Sequence, residues 1–368
     1  MILTSPSFQI RTVDRAASPY QQGRSFPMTT TSPKQSQKEC NEKHFVGIDV
    51  EKDELVVHVL PTNQQLTVPN SCNGIKELVR LFKEINPVQI TLEATGGLER
   101  ELLINLVANG FAAVVLNPRQ ARDLAKGLGE LAKTDAVDAR MLARFAQLQC
   151  LPVRPVPSQE IWDMNDLVTR RQQLVGLRTM ETNRLHQTKQ KLVAKSIGKV
   201  IDTLDEQIAD IDATIKKMID TNPDWNEKDK ILQSVPGVGP KTSQVLISAL
   251  PELGTLNRQQ AAALVGVAPF CDDSGGRSGA RRIRGGRADV RAALFMATFN
   301  AIHKNATFKS FFDRLIAAGK KYKVALVAAM RKLITILNVM LKTKTCWKEH
   351  RVLSENFNKK YGFSAQNP

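Results

Sequence analysis

Asp49, Glu93, Asp135 and Asp138 have the types and spacing to do phosphodiester chemistry with metal ions. Asp49 ends the apolar run Phe45-Val-Gly-Ile-Asp49-Val, and Glu93 ends Val88-Gln-Ile-Thr-Leu-Glu93; both runs read as buried strands. An unpaired buried carboxylate is costly, so acids ending two such strands call for a compensating charge. Asp135 and Asp138 lie three apart in the helix-forming stretch Lys133-Thr-Asp135-Ala-Val-Asp138-Ala and project from one helical face. Mg²⁺ takes carboxylate oxygens together with phosphate oxygens of a substrate. Two such ions about 4 Å apart stabilise both the attacking and the leaving oxygen of a phosphoryl displacement. Any one of these acids alone reads more readily as structural, Asp135 as a helix cap or Glu93 as half of a salt bridge. Four in strand–strand–helix order favour one or two bound ions.

Two further segments suit a polyanion. In Pro236-Gly237-Val-Gly239-Pro-Lys241-Thr242 a glycine-containing turn enters a helix, where free backbone N–H groups bind phosphate without reading sequence. The spacing is that of a helix-hairpin-helix, against the plainer reading of an ordinary helix–helix turn. It does not match a nucleotide-hydrolysing phosphate loop, which needs four residues between its glycines before Gly-Lys-Ser/Thr. The stretch from Phe270 to Arg291 carries Arg277, Arg281, Arg282, Arg284, Arg287 and Arg291 with the single acid Asp289 after residue 273. Glycines there allow close backbone approach, and arginine grips phosphate with two parallel bonds. About six neutralised phosphates predict a log–log salt slope near −5. The plainer reading is a solvated basic loop. A serine in this loop, Ser274 or Ser278, is a candidate nucleophile only with help from cations, metal or a base.

The composition agrees with a polyanionic partner. The 368 residues carry 52 Lys plus Arg against 36 Asp plus Glu, a net charge of +16. Nucleic acid or an anionic surface is the natural counterpart of such a chain. At 42% hydrophobic residues it can build sizeable cores, and wholesale disorder is excluded. The longest apolar stretch, Val324 to Met340, is interrupted by Arg331 and Lys332, which sets membrane insertion aside. Five scattered cysteines without close pairing fit a reducing cytosol and argue against a zinc site.

Positioning these residues requires elements on either side of a stiff Pro152–Pro157 linker. Residues 1–43 read as a disordered leader. Residues 44–153 alternate strands (44–50, 54–60, 65–68, 88–93, 112–116) and helices (73–86, 97–109, 118–127, 134–148), predicting a mixed sheet with helices on its faces. Residues 158–222 predict an antiparallel coiled-coil arm, broken near Ser196 to Gly198, with Leu204, Ile208, Ile211, Ile215 and Met218 as its seam. Residues 228–345 predict a mostly helical domain, and 346–368 a polar tail. His186 and His303, single residues on helices, read as structural.

The motifs together resemble the DEDD transposases of bacterial insertion sequences, the IS-one-ten group of bridge-RNA-guided recombinases. Gly47-Ile-Asp49-Val, Leu92-Glu93-Ala-Thr-Gly and Lys133-Thr-Asp135-Ala-Val-Asp138-Ala match the acidic blocks. Val235-Pro-Gly-Val-Gly-Pro, Gly266-Val-Ala-Pro269, Asp273-Ser274-Gly275 and Ile283-x-Gly285-Gly286-Arg287 match the second half. The resemblance implies an α/β RNase H/RuvC-like domain, a coiled-coil arm and a mostly α-helical transposase domain with a helix-hairpin-helix. It further implies Mg²⁺ on Asp49, Glu93, Asp135 and Asp138, with Ser274 forming a phosphoserine link to DNA. Its implied partners are element and target DNA, a non-coding guide RNA and further copies as a dimer or tetramer, in the cytoplasm at the nucleoid. The rival reading is a RuvC-like junction nuclease that cuts with metal-activated water; a non-catalytic nucleic-acid binder is the second rival.

Overall fold

The computed structural model describes residues 43–276 and 279–347. The expectations for the leader before residue 43, for Arg277 and Ser278, and for the tail beyond 347 lie outside the described residues. Two compact units divide between Val156 and Pro157, at the end of the proline-rich segment.

The first unit is built on strands β1 (Phe45–Val50), β2 (Glu54–Leu60), β3 (Gln64–Pro69), β4 (Gln89–Glu93) and β5 (Ala113–Leu116). They form one sheet in the order β3-β2-β1-β4-β5, antiparallel through β1–β2–β3 and parallel through β1–β4–β5. Strand residues alternate between faces. Val46, Ile48, Val50, Ile90 and Leu92 pack with Ile75, Leu78 and Phe82 of helix α1 (Cys72–Ile85) and Leu102 and Leu106 of α2 (Arg100–Ala108). Phe45, Gly47 and Asp49 turn to the opposite face, which α4 (Asp135–Gln149) covers; α3 (Pro118–Gly127) lies beside α4 through Ala121, Leu142 and Phe145.

Gly47 is what lets α4 lie on β1. A Cβ there would sit 2.1 Å from the Ala139 carbonyl oxygen and 2.3 Å from the Ala143 nitrogen. Only a residue without a side chain permits that approach, and it carries the first turn of α4 toward the end of β1.

The second unit is helical. Helices α5 (Gln159–Gln187) and α6 (Lys191–Thr221) form an antiparallel hairpin. Its register is fixed by Arg171 on Asp212 and Arg178 on Asp205, seven residues on in one helix and seven back in the other. The break falls at Thr188–Gln190 and not at Ser196–Gly198: the Gln190 side chain accepts the Val193 N–H at 2.8 Å and starts α6, and Gly198 stays inside the helix. Met164, Val168, Ile215 and Ile219 at the base of the hairpin join the core of the remaining helices.

Those helices are α7 (Pro223–Gln233), α8 (Pro240–Ala249), α9 (Arg258–Val265), α10 (Ala288–Lys304), α11 (Ala306–Ala317) and α12 (Tyr322–Thr343). Between α9 and α10, β6 (Pro269–Phe270) and β7 (Arg282–Ile283) pair as a short antiparallel ribbon. α12 is long and apolar enough to cross a membrane, but 67% of its apolar window is buried inside the protein. Ala325, Leu326, Met330, Leu333, Ile334 and Leu337 make it the centre of the helical core.

Candidate catalytic centre and nucleic-acid interface

The four acids converge at one end of the first unit's sheet, where the inner strands β1 and β4 finish. With Ile48 opposite Leu92 in the parallel β1–β4 pair, the next residues are Asp49, one before the end of β1, and Glu93, the last of β4. Asp49 faces the α4 side and is only 8% exposed. Asp135 and Asp138 occupy the first turn of α4, whose N-cap Thr134 accepts the Val137 N–H at 3.3 Å. Carboxylates are favoured there by the positive end of the helix dipole.

The electrostatics register this convergence. Burial, then the charges of Glu93, Asp138, Asp135 and Glu51, push Asp49 from its ordinary 3.8 up to about 7. Burial and Asp138 raise Glu93 against the pull of Lys133. Burial raises Asp138, with Lys133 and Arg122 opposing it and Asp135 adding to it. Among the described residues no three His, Cys, Asp or Glu side chains stand close enough together to hold a metal ion as they lie. The donors are hard carboxylate oxygens at the end of a sheet, and the field that raises their proton affinity also attracts a hard dication. In chemistry, the residues fit Mg²⁺.

Two cations of this site were given no role by the sequence reading. Arg122 donates to the carbonyls of Leu131 (2.8 Å) and Ala132 (3.0 Å), which ties down the approach to α4. Lys133 acts on both Glu93 and Asp138. Lys133 adjoins the acidic motif and was open to notice; Arg122 lies on another helix and carries no local signal. Glu99 orders the loop after Glu93, accepting from the Thr95 and Gly97 N–H groups at 3.2 and 2.8 Å.

In the second unit, α7, the turn Ser234–Gly239 and α8 bring Gly237 and Gly239 to a helix start. Gly237 adopts φ +104, and a Cβ on it would meet the Ala301 backbone at 2.6 Å, so the turn is seated against α10. Gly239 caps α8 ahead of Pro240. Lys241 forms an ion pair with Asp212 of the arm yet stays half exposed. Thr242, in the first turn of α8, is buried.

Ser274 lies exposed in the loop between β6 and β7, where Asp273 accepts the Gly279 N–H at 3.0 Å. Arg281, Arg282 and Arg284 are exposed on the same ribbon, with Arg284 loosely across from Asp272 at 3.8 Å. Arg287 is engaged differently from the expected phosphate contact. Its guanidinium holds Glu252 with two bonds of 2.7 and 2.8 Å and donates to the Ala249 carbonyl at 2.7 Å, fastening the start of α10 to the end of α8.

Comparison with known proteins covers both units. A transposase model of the DEDD IS110 type matches residues 46–192, and the transposase IS116/IS110/IS902 family model matches residues 229–313. The chain is 27% identical over 305 residues to the pilin gene-inverting protein of Moraxella bovis, covering 80% of this chain and 94% of that protein. The pilin gene-inverting protein of Moraxella lacunata is similar to the same extent. A 43.6 kDa protein of insertion element IS110 from Streptomyces coelicolor is 29% identical over 157 residues, 42% of this chain and 38% of that one.

Proposed function

From the chain's membership of the IS110 family of transposases, DNA-acting enzymes of transposition and recombination, we propose that it excises and inserts its own element through a serine–DNA intermediate. In this reading Asp49, Glu93, Asp135 and Asp138 of a RuvC-like domain hold one or two Mg²⁺ ions. Bound there, the ions supply charge stabilisation to the oxygens of the scissile phosphate. Ser274 is the nucleophile. As Oγ bonds to phosphorus its proton passes to solvent, the bond from phosphorus to the sugar oxygen breaks, and that oxygen leaves with the bonding pair and takes up a proton as a free hydroxyl. Attack by a sugar hydroxyl of the new partner strand reverses these changes and restores the serine. One phosphoester replaces another at each step, so no ATP is consumed.

Arg281, Arg282 and Arg284, with Arg277, grip the backbone beside the cut, and the helix-hairpin-helix turn at Gly237, Gly239 and Lys241 holds a second backbone segment. Arg287 is assigned a bracing role. A guide RNA supplies the target choice, and the acids and the serine meet on one phosphodiester within a dimer or tetramer.

The observation that supports the reading is the convergence of the four acids at one end of the sheet, where burial first and then the charges of Glu93, Asp138 and Asp135 raise Asp49 to about 7. Ser274→Ala tests it: recombination and the covalent link are lost, and DNA binding remains within about twofold. Full recombination by that variant removes Ser274 from its role.

A further inference from the structure

The coiled-coil arm is sharply divided in charge. From Asn183 to Val200, around the turn between α5 and α6, the chain holds Arg184, Lys189, Lys191, Lys195 and Lys199 and no acid. The rest of the hairpin, 159–182 and 201–221, holds ten acids against five bases. All five tip cations are exposed. Arg184 pairs with Glu181, whereas no ion pair engages the four lysines among the described residues.

Local physics opposes this arrangement. Lys191 begins α6, and the first turn of that helix contains no acid. Cations at a helix N-terminus face the positive end of the dipole, and four lysines within eleven residues repel one another. Core packing does not require them there: Leu192, Val193 and Val200 at the same tip are themselves exposed. The arrangement is satisfied by a polyanion laid across the tip.

The arm is stiffened by Arg171 on Asp212 and Arg178 on Asp205. From Val168, the last residue of α5 buried in the helical core, to Gln187 at the turn is about 30 Å at 1.5 Å per residue. A polyanion that reaches both this core and the tip with no ordering cost over that distance is one that is already stiff. Duplex DNA is, with a persistence length of about 500 Å, and it advances about nine base pairs in 30 Å.

We infer that the lysine-rich arm tip, Lys189, Lys191, Lys195 and Lys199, is a clamp on the backbone of duplex DNA flanking the exchange site. This rests on the DNA-recombining reading above and adds a contact away from the chemistry. Backbone contacts carry no base sequence, so duplex DNA of arbitrary sequence is a sufficient probe.

The test compares full-length protein with the variant Lys189→Gln, Lys191→Gln, Lys195→Gln, Lys199→Gln, titrating binding to a labelled 40-base-pair duplex across salt concentrations. Four lost phosphate contacts lower the log–log salt slope by about 3 to 4 and weaken binding at low salt by tenfold or more. The variant's melting temperature stays equal or rises, because cations leave the dipole's positive end. An unchanged slope overturns the inference. So does a loss confined to a structured RNA of equal length, which assigns the tip to RNA. A fall in oligomer mass by sedimentation without DNA also overturns it, since the tip then docks on the acidic arm of a second copy. Ser274→Ala run alongside keeps the parent slope. Failure of the serine chemistry therefore leaves this result standing, and failure of the clamp leaves the serine–DNA link standing.

Discussion

Asp49 owes its unusual proton affinity to burial on the α4 face of the sheet and to the three acids that share its corner. Its folded value of about 7 exceeds the unfolded 3.8, so the folded state binds the proton more tightly. Without divalent ions the protonated side chain therefore favours folding. That contribution is absent above about pH 7, grows as pH falls through 7, and is complete below 3.8. In chelator, Asp49→Asn should melt higher than the parent at pH 8, with the gap closing by pH 5. Mg²⁺ should raise the parent's melting temperature at pH 8 and leave that of Asp49→Asn nearly unmoved. Equal gaps at both pH values would remove the electrostatic account of this corner. Arg287 gives the opposite kind of prediction. Its bonds to Glu252 and Ala249 make it a brace about one-third exposed, so Arg287→Ala should cost about 1 to 2 kcal/mol in thermal unfolding. The salt slope for DNA binding should stay within about 0.5 of the parent value, whereas a phosphate ligand would lower it by about 0.9.

At the scale of elements, the strand-ending acids were legible because two buried apolar runs each terminate in a carboxylate, a pattern that burial energetics flags from sequence alone. The helix bearing Asp135 and Asp138 was legible as a helix-forming stretch over 134–148, close to the observed Asp135–Gln149. How close it lies to β1 was not, because that depends on Gly47 meeting Ala139 and Ala143 across 92 residues and more. Gly47→Ala should force those elements apart and destabilise the first unit by about 3 kcal/mol, read by chemical denaturation. An unaltered midpoint would mean the helix can shift without penalty. The arm's break was misjudged because Gly198 looks like a breaker, whereas the turn is set by Gln190 capping α6. Arg287 was read as a phosphate ligand because a run of arginines does not reveal which member is held by a distant acid, here Glu252.

For the whole molecule, the account joins acids near the N-terminus and a serine more than 130 residues later to a single reaction. The most direct measurement incubates the protein and Mg²⁺ with a nicked substrate that cannot religate, denatures the products, and determines the mass of the peptide containing Ser274. The account predicts a nucleotide-bearing Ser274 peptide that disappears in Asp49→Ala, Asp138→Asn and Ser274→Ala alike. Cleaved DNA with no protein attached, at wild-type levels in Ser274→Ala, would contradict it and leave a metal-dependent nuclease in its place.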